Sequence, residues 1–119
     1  MQPITNIDTF LQRFNNFKDA EFRSIDVSSA TTMNVVFATQ DEARGFDWIT
    51  ITLEFNEIND AKLLNDSKLS LVDMEDGISL ITEDKTVGFA LGKYNSITSL
   101  KDSVCYIVSS SVKYSEGSF

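Results

Sequence analysis

Eighteen carboxylates, ten lysines and arginines, one cysteine and no histidine set the chemistry open to this 119-residue chain. Zinc, copper and haem sites of ordinary composition need imidazoles or several thiolates, so they are excluded. Calcium asks only for oxygen ligands, and Asp73-Met74-Glu75-Asp76-Gly77 offers acids at its first, third and fourth positions. An EF-hand loop needs glycine at the sixth position and glutamate at the twelfth, and the twelfth from Asp73 is Asp84. That segment reads as a solvated turn closed by glycine. A nucleophile needs a base in reach, and Cys105 has no imidazole to serve it; its place in an alternating run makes it a small core residue. Ser67-Lys68 and Ser99-Leu100-Lys101 come nearest to a serine–lysine motif but lack its surroundings, and no G-x-S-x-G elbow occurs. The five glycines stand singly, so no loop is built to cradle phosphate. Carboxylate pairs such as Glu54 with Glu57, or Asp47 with Glu83, are open to acid–base work, yet nothing in the pattern prefers either. The expectation is a protein that is not an enzyme and holds no metal or cofactor.

Recognition is the better-supported chemistry. Trp48 is the only tryptophan, and alternation sets it with Thr50, Thr52 and Glu54 on the polar side of its strand. Asp41, Glu42, Arg44 and Asp47 precede it closely. An exposed indole beside charged residues, an arginine among them, is the composition of an interface anchor. Asp41, Glu42, Arg44, Asp47 and Trp48 are therefore the candidate partner-binding residues. The competing reading covers Trp48 with the 41–45 loop or with the N-terminal helix, since single large aromatics are mostly buried.

The element that must position these residues is the run Phe46–Phe55. Ile49, Ile51, Leu53 and Phe55 share one parity, which predicts a strand with one core face. Upstream, Ile7, Phe10, Leu11, Phe14 and Phe17 recur at helical spacing, predicting an amphipathic helix over Ile7–Phe17 with its phenylalanines on a sheet. Alternation in Glu21–Ser28 and Met33–Ala38 predicts a hairpin with Phe22 and Phe37 in the core. Gln40–Gly45 reads as a charged loop. Residues 56–70 carry no clear pattern. Ile78–Thr82 and Thr86–Leu91 flank Glu83-Asp84-Lys85 as a second hairpin. Ile97 and Leu100 are spaced for one anchored helical turn. Val104, Tyr106, Val108, Val112 and Tyr114 extend one alternating series, predicting a long last strand over Ser103–Tyr114, followed by a frayed tail.

A net charge of −8 lacks the basic footprint that nucleic acid requires and opposes adhesion to anionic lipid. It suits a partner with a basic surface. No apolar run approaches the length of a membrane span, and the first residues lack a basic region followed by an apolar one. With a single cysteine, the chain reads as cytoplasmic.

The segment Phe17-Lys18-Asp19-Ala20-Glu21-Phe22-Arg23-Ser24-Ile25, followed by alternating Met33–Phe37 and then Trp48–Phe55, resembles the opening of certain small bacterial proteins. In those an aromatic-x-D-A-E segment leads into a β-meander, and some are grouped with immunity proteins of polymorphic toxin systems. The resemblance spans the first half of the chain, contains no catalytic signature and transfers no functional residue. It implies a small binding protein of the cytosol whose acidic surface would suit masking a basic nuclease cleft.

The expected fold is a single α+β domain over residues 1–119. An N-terminal helix packs on a mostly antiparallel, twisted sheet of about six or seven strands, able to curl into a half-open barrel. The expected function is non-catalytic binding of a protein partner, immunity-like. The alternative is a structural or regulatory subunit that forms a homodimer through an edge strand such as Ser103–Tyr114.

Overall fold

Helix α1 (Ile7–Arg13) begins where its first free amides find a partner: the Asn6 side chain accepts from the Thr9 N–H at 3.0 Å. Its apolar stripe turns Phe10 inward, and the Phe10 ring lies 4.9 Å from that of Tyr114. The helix stops earlier than its phenylalanine spacing predicts. Asn15, Asn16 and Phe17 take φ values of 53°, 56° and 61°, so the chain reverses into a left-handed turn in place of a further right-handed one. Asparagine tolerates that region and phenylalanine does not. Packing holds Phe17 there: its side chain is fully buried, with ring centroids 5.3 Å from Phe14 and 5.4 Å from Phe37. The turn also leans on the loop that precedes Ile78, where the Asp19 N–H donates to the Met74 carbonyl at 2.9 Å. Phe14 and Phe17 thus remain in the core, as their spacing predicts, without the helix reaching them.

The computed structural model describes Met1–Phe119 as an α+β fold in which every strand pairing is antiparallel. One sheet has the order β1-β9-β4-β3-β2, with β1 at Gln2–Pro3, β2 at Glu21–Val27, β3 at Thr32–Asp41, β4 at Asp47–Asn56 and β9 at Ser111–Ser118. The second has the order β5-β8-β7-β6, with β5 at Asp60–Lys62, β6 at Ile78–Glu83, β7 at Thr86–Leu91 and β8 at Tyr106–Ser109. The single sheet of six or seven strands is thus corrected to nine strands in two sheets, and no barrel closes. The cause is two strands that change sheets. After β4 the chain bends at Glu57, φ 55°, and continues as β5. After β8 it crosses at Ser110, whose N–H donates to the Asn56 carbonyl at 3.1 Å, and continues as β9.

The Ile49–Phe55 parity is core as predicted: Ile51, Leu53 and Phe55 are fully buried. Phe55 meets Phe89 of β7 at 5.3 Å between ring centroids, joining the inner faces of the two sheets. Both predicted hairpins form. In the second, Asp84 and Lys85 take φ values of 48° and 65°, the two left-handed central residues of a two-residue turn matched to strand twist. Ile97–Leu100 is the short helix α2, closed by a reciprocal Ser96–Ser99 cap. Two expectations fail. The Ser103–Tyr114 segment is not an edge, because β8 lies between β5 and β7 while β9 lies between β1 and β4. Nor is the tail frayed, since β9 pairs with β4 through Ser118 opposite Ile49. Residues 56–70 supply β5 and a 3-10 turn over Asp66–Leu71 that buries Leu69. No helix is long and apolar enough to cross a membrane.

Candidate functional site

Asp41 ends β3 and turns its carboxylate inward, fully out of solvent. Arg13, at the last residue of α1, meets it with a planar fork: Nε donates to Oδ1 at 2.8 Å and Nη2 to Oδ2 at 2.6 Å. Oδ1 also accepts from the Ala43 N–H at 3.0 Å, capping the 3-10 turn Glu42–Arg44. Arg44 brings its Nε within 3.4 Å of Oδ2. Glu116 of β9 closes the group, its Oε1 accepting from Nη2 of Arg13 and of Arg44, each at 2.8 Å. Two guanidinium groups and two carboxylates balance. The hydrogen bonds from Arg13 hold the Asp41 carboxyl below its ordinary range against the opposing effect of burial, with the Ala43 amide and the arginine charges assisting. The same bond to Asp41 raises the Arg13 guanidinium, against its own desolvation.

Asp41 was expected at a partner-binding surface, and burial corrects that. It fastens the end of α1 to the ends of β3 and β9, a structural duty. Arg44 belongs to the same group while remaining half-exposed. Glu42 and Asp47 are exposed, and neither forms an ion pair.

The turn that Asp41 caps also sets the aromatic residues. Gly45 at φ 66° and Phe46 at φ 68° reverse the chain, and the Phe46 N–H donates to the Asp41 carbonyl at 2.9 Å. Gln40, paired with Trp48 across the β3–β4 ladder, donates its side-chain amide to the Phe46 carbonyl at 3.2 Å. Phe46 and Trp48 therefore emerge as large apolar groups in solvent, 61% and 40% exposed, and the alternation that put Trp48 on the outer side holds. Phe119 joins them: its ring centroid is 5.6 Å from that of Trp48, and the Arg23 guanidinium carbon lies 4.7 Å from its centre. Below Phe46 and Trp48 opens a cleft of about 300 Å³, bordered also by Gln12, Asn15, Lys18 and Glu42.

Of the five sequence-derived candidates, Glu42 and Trp48 meet at this cleft, Asp41 and Arg44 lie in the ion group behind it, and Asp47 stands apart on the surface. Four contributors escaped the sequence reading. Phe46 adjoins the candidates in sequence, but it precedes the strand in a left-handed conformation that alternation does not read. Arg13, Glu116 and Phe119 reach the site only through tertiary folding, across separations as large as 103 residues for Arg13 and Glu116.

No family model matches this chain, and no curated protein sequence or solved structure shows significant similarity to it.

Proposed function

We propose that this chain is a non-catalytic binding protein that engages a protein partner with a basic surface through the patch of Phe46, Trp48 and Phe119. The observation that carries the reading is the clustering of three solvent-exposed aromatic side chains at one end of the five-stranded sheet. Large aromatic groups left in water next to arginine are the composition of interface hot spots. The patch stands on a rigid support, because the Arg13–Asp41–Arg44–Glu116 group ties α1, β3 and β9 together beside it. A net charge of −8 favours a basic partner and speeds its approach. Asp41 carries no catalytic proposal, its carboxylate being held by Arg13.

An immunity-type role is the specific form of this reading, with a toxic enzyme as partner. The test is co-expression with the product of the neighbouring reading frame. The two proteins should co-purify, cells should survive the partner's toxicity, and Trp48→Ala should abolish both effects. A partner retained equally by Trp48→Ala, or survival independent of this protein, would remove the proposal.

A further inference from the structure

The cleft beneath Phe46 and Trp48 is bordered by more unpaired negative than positive charge. Both rings border it, and the face of an aromatic ring is its electron-rich side. Glu42 and Asp19 border it too, and neither carboxylate forms an ion pair. Arg13 lines the inner wall, but its charge is matched within the group of Arg13, Arg44, Asp41 and Glu116. Lys18 is then the one cation on the wall without an ion pair, against two carboxylates without one. Gln40 uses its amide N–H on the Phe46 carbonyl, which leaves its side-chain oxygen able to accept. An anion here would meet two carboxylates with one lysine to help. A cation would meet the carboxylates and an amide oxygen, with two aromatic rings at hand to stack on. At about 300 Å³ the space lies at the small end of ligand sites, suited to one side chain.

We infer that this cleft receives a basic side chain, a guanidinium or an ammonium group, presented by the protein partner. The inference rests on the binding reading above and names the chemistry the partner must offer. Phe46 and Trp48 stack on the cation, Glu42 pairs with it, and the Asp41 network keeps the backbone of the 41–46 turn in place.

Trp48 is the only tryptophan, so its fluorescence reports occupancy directly. The full chain is titrated with a short blocked peptide, Gly-Gly-Arg-Gly-Gly, and with the same peptide carrying citrulline, which keeps the shape and loses the charge. The expected result is a saturable change with the arginine peptide and binding at least about threefold weaker with citrulline. Phe46→Leu and Glu42→Gln should each weaken the arginine peptide roughly two- to fivefold, and added salt should weaken it further. Both side chains are exposed, so the unfolding midpoints in urea should match that of the unaltered chain. Equal responses to the two peptides, or no saturable response, would overturn the inference. So would a response to sodium phosphate that Lys18→Gln abolishes, which would mark an anion site. A partner that needs Trp48 for binding, together with a failed arginine titration, would overturn this inference alone and leave the binding reading standing.

Discussion

Arg13 grips the buried carboxylate of Asp41 with two nitrogens, at 2.8 and 2.6 Å, although 28 residues separate the pair in the chain. This contact decides where α1 ends relative to the sheet, and hence the position of the cleft wall that Gln12 and Asn15 contribute. Removing Arg13 leaves the buried Asp41 carboxylate with only the Ala43 amide and Arg44, and removing Asp41 leaves Arg13 with Glu116 alone as ion-pair partner. Either single loss is therefore costlier than its share of removing both. Asp41→Ala should lower the unfolding free energy by about 3 kcal/mol in urea titrations. The double change Arg13→Met with Asp41→Leu should cost less than the sum of the two single changes. Additive losses would show that the two groups act independently.

Acid should expose the same contact. The folded pKa of Asp41 is lowered, first by hydrogen bonds from Arg13, while an unfolded aspartate titrates near about 3.9. A depressed folded pKa contributes stability that is present above the unfolded value and lost as pH falls through the folded one. Unfolding free energy should therefore decline as pH drops below about 4, and Asp41→Asn should flatten part of that decline. Parallel curves for the two proteins would contradict this.

At high pH a second buried group, Cys105, contributes. Burial pushes its thiol up to about 11 from 9.0, partly offset by a hydrogen bond involving the Leu64 backbone. A raised folded pKa gives stability that is complete below the unfolded value and disappears as pH rises through the folded one. The Cys105 contribution should be lost between pH 9 and 11, by on the order of 2–3 kcal/mol, and Cys105→Ala should remove that part. The part due to Tyr106 should remain, its phenol also being raised, first by desolvation. A thiol reagent should label Cys105 only as the chain unfolds, because the side chain is fully buried; prompt labelling of the native protein would contradict its placement.

Two glycines separate strain from crowding. Gly45 and Gly77 both have positive φ, 66° and 70°, but a Cβ on Gly45 meets nothing within 4 Å. A Cβ on Gly77 would lie 2.0 Å from the Asn16 carbonyl oxygen, in the left-handed turn after α1. Gly45→Ala should cost about 1 kcal/mol, the left-handed penalty alone. Gly77→Ala should cost at least about twice that, since backbone must move. Equal midpoints for the two variants in thermal unfolding would show that the turn yields freely.

The parts of the fold legible in the sequence are those written in local periodicity. The Ile49–Phe55 parity, the Phe22–Phe37 hairpin and the outward side of Trp48 all follow from alternation and are observed. Illegible were features made by distant residues. The series from Val104 to Tyr114 reads as one strand, yet its inward parity changes between Ile107 and Val112 where the chain crosses sheets at Ser110. The helix pattern extends to Phe17 because that residue is truly buried, reached through a left-handed turn that apolar spacing does not encode. Asp41 reads as a loop charge in the sequence, because its partner Arg13 lies near the start of the chain and Glu116, which shares that arginine, lies near the end. For the candidate site, alternation found Trp48, and the remaining rings and ions needed the assembled fold.

The measurement that bears most directly on the proposed function is the dissociation constant for the neighbour-encoded partner, determined with the unaltered chain, Trp48→Ala and Leu71→Ala. Trp48 sits in the aromatic patch, whereas Leu71 is an exposed apolar residue at a different groove, 80% open to solvent. The account predicts that Trp48→Ala weakens binding at least about tenfold, a loss of about 1.4 kcal/mol or more, while Leu71→Ala stays within about twofold. Unchanged affinity for Trp48→Ala, or a larger loss for Leu71→Ala, would contradict it.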